Sequence, residues 1–225
     1  MGVAERRARE REARRESILD AAVAVFEQRG FDGATVEAIA AAAEINIATL
    51  YYYFPSKDLL YLAVLRRAID VVLPRLEAAA AAGRTPAEKL RNLAGTYYRF
   101  FREHPEAQSV LRCLQSKALP TEDPATRETV TSVYLGTRHA IGVVTRVIAA
   151  AVESGAFREL DPRETAVLFW AGLNGIFQMA ENKGVFREDP EGPLLDRYVD
   201  LFVRGMEAGR ASPPARPALR NARES

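Results

Sequence analysis

Apolar residues recur at steps of three and four along this chain, and no segment requires a β-strand. Caps, prolines and glycines divide the pattern into nine predicted helices. The first covers about residues 8–29 and ends at Gly30, and the fourth covers 57–82 and should kink at Pro74. The other helices are predicted at about 36–42, 47–53, 86–104, 105–119, 124–154, 162–179 and 193–209. The sequence therefore predicts an all-α fold.

Residues 36–60, VEAIAAAAEINIATLYYYFPSKDLL, predict two short helices, a tight turn between them, and the start of another helix. Thr35, Asn46 and Ser56 each precede a helix, where a side-chain oxygen can accept a hydrogen bond from a free backbone N–H. The three residues 43–45 have about the length of a helix-turn-helix turn. This arrangement predicts a helix that is presented to DNA.

The motifs ILDAAVAVFEQRGFDGATVEAIA and TLYYYFPSKDLL lie within residues 17–62. With Phe54 and Lys57 in register, they resemble the TetR family of bacterial transcriptional regulators. That resemblance implies an N-terminal DNA-binding domain, a C-terminal domain that binds a ligand and dimerises, and only architectural similarity beyond residue 65. The family usually has glycine where this chain has Glu44. Either the turn has a different shape, or Glu44 adopts a positive φ at a cost of about 1 kcal/mol.

The first residues of the recognition helix should reach the base edges of DNA. Apolar side chains there, above all Ile47, can pack on thymine methyl groups, although Ile47 could instead contact the first helix. Asn46 could cap the helix or read a base. The resemblance implies phosphate contacts from two tyrosines and Lys57. The predicted DNA-contacting residues are Thr35, Val36, Asn46, Ile47, Ala48, Thr49, Tyr51, Tyr53 and Lys57.

Aromatic side chains and a few polar groups fall in the central helices, the composition of a small-molecule site. Plain core packing is the alternative for each aromatic residue. Few inward-facing basic residues are expected there, so the effector should be largely apolar. His139 and Asn174 are the polar candidates to contact it. The predicted pocket residues are Tyr97, Phe101, Tyr134, His139, Phe169, Trp170, Asn174, Phe177 and Gln178.

The helices predicted at 162–179 and 193–209 have apolar residues on more of their surface than the rest of one chain could cover. This indicates that a partner chain covers the remainder. Glycines within the first of them would allow another helix to approach closely. The resemblance implies that these helices form a four-helix interface in a homodimer. The predicted interface residues are Gly172, Gly175, Leu194, Tyr198, Leu201 and Phe202.

With 225 residues, 48% of them apolar, the chain can form one or two domains with a sizeable core. Its net charge of +1 conceals a basic segment, because residues 1–15 carry six arginines and three glutamates. This arm could contact phosphates or a minor groove, or it could be an exposed extension of the first helix. Residues 210–225 are rich in Pro, Ala, Arg and Ser and are expected to be a disordered tail.

Other classes of protein fit the sequence less well. No apolar run approaches the roughly 20 residues of a membrane span and no signal peptide is recognised, so a cytoplasmic location is expected. The single Cys113 argues against an internal disulfide or a thiolate metal cluster. We find no phosphate loop, nucleophile elbow or metal signature, and therefore expect no enzyme, cofactor or metal.

We therefore expect an all-α homodimeric regulator, most simply a repressor that a small effector releases from a palindromic operator. Residues 1–56 are expected to bind double-stranded DNA, and residues 57–209 to bind the effector and dimerise. An architectural DNA-binding protein without a ligand is the main alternative, but DNA binding alone would not need the long aromatic-lined second half.

Overall fold

The computed structural model describes residues 2–104, 124–180 and 191–209, which form eight helices. Apart from one isolated bridge between Phe157 and Glu207, these residues contain no β-pairing. The predicted all-α fold is confirmed. The helix predicted at 105–119, Cys113 and the tail 210–225 lie outside the described residues. The helices are α1 Val3–Gly33, α2 Val36–Ala42, α3 Ile47–Tyr53, α4 Lys57–Ala82, α5 Pro86–Glu103, α6 Pro124–Glu153, α7 Pro162–Ala180 and α8 Glu191–Met206.

Local caps determine where the helices begin, as the sequence predicted. The side-chain oxygens of Thr35 and Ser56 each accept a hydrogen bond from the backbone N–H three residues later, at 3.2 and 3.1 Å. Thr85 and Glu88 form a reciprocal capping box at the start of α5. These bonds satisfy N–H groups that a helix cannot satisfy with its own carbonyls.

Helix α1 begins earlier than predicted, at Val3 instead of about residue 8. Its arginine-rich segment is regular helix, and oppositely charged neighbours such as Arg6 and Glu10, 3.8 Å apart, support it. The arm is therefore helical and continuous with α1, which is compatible with either of the two roles considered for it. At the other end, Gly30 has φ 66° and ψ 179°, which interrupts the helical geometry at the predicted glycine.

A continuous core lies under α1 to α4, and we call it the head core. Ile69 extends it along α4, and Val133 joins it from α6. Gly136 allows this approach, because a Cβ atom there would lie 2.5 Å from Cγ2 of Ile69. The largest fully buried side chains of the head core are Ile18, Leu19, Phe26, Ile39, Leu50, Phe54, Leu60, Tyr61 and Leu62.

Two consecutive arginines of α4 hold different helices. The Arg67 guanidinium donates to Asp20 of α1 at 2.6 Å and to Glu16 at 3.3 Å. Arg66 Nη1 donates to the hydroxyl and the carbonyl oxygen of Ser132 in α6, at 2.7 and 3.0 Å. Helix α4 is thus joined by polar contacts both to the head core's first helix and to α6.

The chain forms two compact units, residues 1–147 and 148–225. In the second unit α7 packs against α8. The Arg158 N–H also donates to the carbonyl of Met206 at 2.8 Å, which fixes the end of α8 to the segment after α6. The predicted domain boundary at residue 56 stays a prediction.

One part of α6, Arg127–Glu153, has the length and composition of a membrane span, although no apolar run of that length was expected from the sequence. The core helix of a globular protein meets the same criterion. This stretch also carries Arg138 and Arg146, whose charges oppose burial in lipid.

Candidate functional site

The N-terminal end of α3 is exposed while its other side is anchored in the head core. Leu50 and Phe54 are buried, and Ile47 is 41% exposed. The side-chain oxygen of Asn46 accepts a hydrogen bond from the Thr49 N–H at 2.7 Å, which assigns it to capping. The arrangement leaves a short helix with small and apolar side chains facing outward at its start.

The turn between α2 and α3 adopts the left-handed geometry that the sequence offered as one of two alternatives. Glu44 has φ 54°. The Glu44 N–H donates to the carbonyl oxygen of Ala41 at 3.1 Å, and the Ile45 N–H donates to the carbonyl oxygen of Ala40 at 3.0 Å. This pair of bonds is a Schellman motif, which usually has glycine at the left-handed position. Ile45 packs partly on the head core, so the turn fixes α3 relative to α2.

Around α3, two predicted contact residues are placed differently from the expectation. The side chains of Val36 and Tyr53 are half-buried against the head core, because they lie on the inward side of their short helices. Tyr52 is instead 66% exposed, and its ring meets that of Tyr53 edge-on at 5.2 Å. Tyr52, which was not among the DNA contacts predicted from the sequence, is therefore more accessible than Tyr53.

Arginines of α1 lie beside this surface. The guanidinium carbon of Arg11 is 5.7 Å from the ring centroid of Tyr52, and that of Arg15 is 5.3 Å from the ring of Phe54. Such stacking is favourable because the face of an aromatic ring carries negative charge density. The surface around α3 thus combines the exposed side chains of Ile47, Ala48 and Tyr51 with arginines from α1. Such a surface suits a nucleic acid, whose phosphates are negatively charged and whose base edges can be contacted by side chains.

Comparison with known proteins agrees with that geometry. The family model described as bacterial regulatory proteins, tetR family, matches residues 18–64. The transcriptional regulator RutR of Escherichia coli strain K12 is 32% identical over 166 residues, which cover 74% of this chain and 74% of RutR. The chain belongs to the TetR family. It is accordingly a helix-turn-helix transcriptional regulator that binds DNA.

Two further relatives extend the match. The TetR-family chain is 31% identical over 154 residues to the transcriptional repressor NicS of Pseudomonas putida, covering 68% of this chain and 70% of NicS. A solved structure of the regulator FadR from Bacillus subtilis in complex with stearoyl-CoA has the same fold. Its TM-score is 0.66 at 17% identity, over 87% of this chain and 99% of that one.

In the first unit, the predicted pocket residues fall into two groups. Tyr97 and Phe101 of α5 are buried, and their rings meet at 4.6 Å. Tyr134 is 61% exposed, and His139 lies on the surface with Nε2 2.9 Å from a carboxylate oxygen of Glu77. Tyr134 and His139 lie off the row of α6 that faces α4, which contains Val133 and Gly136, and their assignment to a ligand pocket stays a prediction.

In the second unit, Phe169, Trp170 and Phe177 are buried and Asn174 is half-buried. Gln178 is exposed, and its assignment to the pocket stays a prediction. Phe169 is the centre of a ring cluster formed with Trp170, Tyr198 and Phe202, at centroid distances of 6.1, 6.0 and 5.3 Å.

The predicted interface residues also divide. A Cβ atom at Gly172 would collide with the Tyr198 ring, and Tyr198 donates to the carbonyl of Phe169 at 2.8 Å. Burial raises the pKa of Tyr198 above its ordinary value. Gly172 and Tyr198 therefore pack against each other within the chain, and their assignment to a partner interface stays a prediction. Among the described residues nothing lies within 4 Å of a Cβ at Gly175, and Leu201 is 66% exposed.

Proposed function

We propose that this TetR-family protein is a homodimeric repressor that binds a palindromic operator and releases it when a small apolar effector binds. In this proposal residues 1–56 read the DNA, and residues 57–209 dimerise and take up the effector. The observation that carries the proposal is the exposed start of α3, held at a fixed angle by the Schellman turn at Glu44. The similarity to NicS, a repressor, supports the sign of regulation.

The DNA contacts follow from exposure. Ile47 and Ala48 are exposed at the start of α3 and would pack on thymine methyl groups, with Thr49 beside them. Tyr51, 45% exposed, would donate its hydroxyl to a phosphate. Lys57 is the first residue of α4, where free N–H groups and its ammonium group could hold a phosphate together. Thr35 caps α2 and could present its helix N-terminus to the backbone in the same way.

The dimer would form through α7 and α8. Val167, Leu168 and Leu201 expose apolar surface on these helices, and Leu194 and Phe202 are half-buried beside it. Burying such side chains is favourable at about 25 cal/mol per Å² of apolar area. A twofold dimer would place its two α3 helices in successive major grooves, about 34 Å apart.

We place the effector against α5, beside the ring pair Tyr97 and Phe101. Helix α5 packs on α4, and α4 carries part of the head core. An effector that displaced α4 would therefore change the position of the recognition helix. The aromatic lining favours an apolar ligand. Because the similar FadR structure is a complex with stearoyl-CoA, a long-chain acyl-CoA is also tested. Its acyl chain is apolar but its coenzyme A part is charged, so its result is judged separately from that of the apolar compounds.

The test is selection of genomic DNA fragments by the purified full-length protein, followed by footprinting. We expect a protected site with two symmetric halves about one helical turn apart. The bound complex is then titrated with apolar metabolites, an acyl-CoA and a sugar phosphate. Release by the apolar compounds, with an affinity loss of about 5- to 150-fold, supports the effector site. Release by sugar phosphate alone contradicts it, and selective binding without any release favours an architectural protein.

A further inference from the structure

One row of α1 is buried in the head core and continues beyond it towards the N-terminus. Its buried members are Ile18, Ala21 and Val25. Three arginines extend the same row at helical steps of four and three residues, and we call them the arginine row: Arg7, Arg11 and Arg14. Residues three and four apart lie on one side of a helix, so the arginine row points to the side on which α1 packs against the head. None of the four glutamates between residues 5 and 16 falls in this row.

The structure supports this placement. The guanidinium group of Arg11 stacks over the ring of Tyr52, a side chain of α3. Arg15, next to the row, stacks over Phe54 directly after α3. The α1 extension is therefore positioned beside the recognition helix by two cation–π contacts.

Among the residues that the structure describes, the arginine row also lacks acidic partners. In the part of the chain that the structure describes, Arg7 and Arg14 make no ion pair or hydrogen bond, and both are exposed. Like charges three and four residues apart destabilise an isolated helix. An ordinary solvated helix face would interleave glutamates, as the other side of α1 does with Arg6 and Glu10. Concentrated, unpaired guanidinium groups next to a DNA-reading helix suit phosphate groups, which arginine binds through paired N–H donors.

We infer that the arginine row is a second DNA contact, which binds backbone phosphates beyond those reached by α3. This inference rests on the proposed DNA binding. From Arg7 to Arg14 the helix rises about 10 Å, at 1.5 Å per residue. DNA advances about 3.4 Å along its axis per nucleotide of one strand, so the row is long enough for two or three phosphates. These contacts carry no sequence information and would add affinity and register.

The test compares two double variants of the full-length protein on one duplex, selected from a random-sequence library by the wild-type protein. R7A/R14A removes two members of the arginine row. R6A/R9A removes two charges from other sides of the same helix and serves as the matched control. Alanine is the best helix former, so both variants should keep α1 helical, which circular dichroism can verify.

We expect R7A/R14A to lower the slope of log affinity against log salt by about 1.8, or 0.9 for each lost phosphate contact. Between 50 and 200 mM salt, the wild-type protein would then lose about 12-fold more affinity than R7A/R14A. R6A/R9A should keep the wild-type slope. Hydroxyl-radical footprinting should show reduced backbone protection only with R7A/R14A, at positions outside the bases read by α3.

Equal loss of slope in both variants would mean that only net charge matters, and would overturn the inference. An unchanged slope for R7A/R14A would overturn it too, while the proposed DNA binding would stand. If the wild-type protein selects no duplex, the proposed function itself fails, and the inference fails with it.

Discussion

Replacing Glu44 by glycine should stabilise the protein, although glycine usually weakens helical segments. Glu44 has φ 54°, a left-handed conformation that costs a residue with a Cβ roughly 1–2 kcal/mol. Glycine adopts this conformation without that cost. It also makes the unfolded chain more flexible, which lowers the free energy of unfolding by about 0.4–1 kcal/mol. The exposed Glu44 carboxylate has no ion pair or hydrogen bond among the described residues, so no further contact is lost. The net gain in unfolding free energy should be about 0.5–1 kcal/mol.

Thermal and urea unfolding, monitored by circular dichroism at fixed protein concentration, would measure this gain. A chain of this size shifts its Tm by about 2–4 °C per kcal/mol, so E44G should melt roughly 1–4 °C higher. E44A keeps the Cβ atom and should show no such gain. E37G places glycine in the right-handed first turn of α2 and should lose about 1 kcal/mol.

The outcome that would refute this reasoning is an E44G variant that melts at or below the wild-type temperature while E37G shows its expected loss. Glycine would then have its ordinary helix cost at both positions. The positive φ of Glu44 would not be a source of strain, and the geometry of the turn would need another explanation.

Three further predictions follow from the contacts described. Lys57→Ala should weaken binding to all duplexes about equally and lower the salt slope by about 1, whereas Ile47→Ala should relax preference at one or two base pairs by on the order of 1 kcal/mol. Competition binding with mutated sites separates these effects, and an unchanged preference would contradict base reading by Ile47. Leu201→Glu should give monomers in sedimentation. The control Leu135→Glu changes a residue of α6 that is 54% exposed and should leave the dimer intact. If both variants remain dimers, the interface lies elsewhere. Arg67→Ala should lower the unfolding free energy by about 0.5–1 kcal/mol at low salt and by less at high salt, and an equal loss at both would exclude an electrostatic cause.

Features that depend on neighbouring residues were predictable from the sequence. The caps Thr35 and Ser56 each depend on only four consecutive residues, and the structure contains both. Asn46 likewise caps α3 through a bond that spans three residues. The positive φ of Glu44 was one of two alternatives, since a match to a turn motif indicates geometry but does not show that a non-glycine residue will follow it.

Features that depend on distant residues were not predictable. Helix α6 has adjacent apolar rows, and periodicity could not show which row faces α4. The close packing of Gly136 against Ile69 determines which row of α6 faces α4, and Tyr134 therefore lies on the surface. In the same way, Gly172 was correctly expected to permit a close approach, but the sequence did not reveal that the approaching group is Tyr198 of the same chain.

The continuity of the head core has a consequence for engineering hybrid regulators. Exchanging the DNA-reading segment at residue 56 would separate side chains that pack together, since the head core continues through α4 to Ile69 and includes Val133. A transplanted head would meet a foreign surface there and would also lose the bonds from Arg67 to α1. A graft that carries α4 up to Ile69, with matching residues around Val133, would keep its hydrophobic contacts and is the better junction for giving this regulator a new operator.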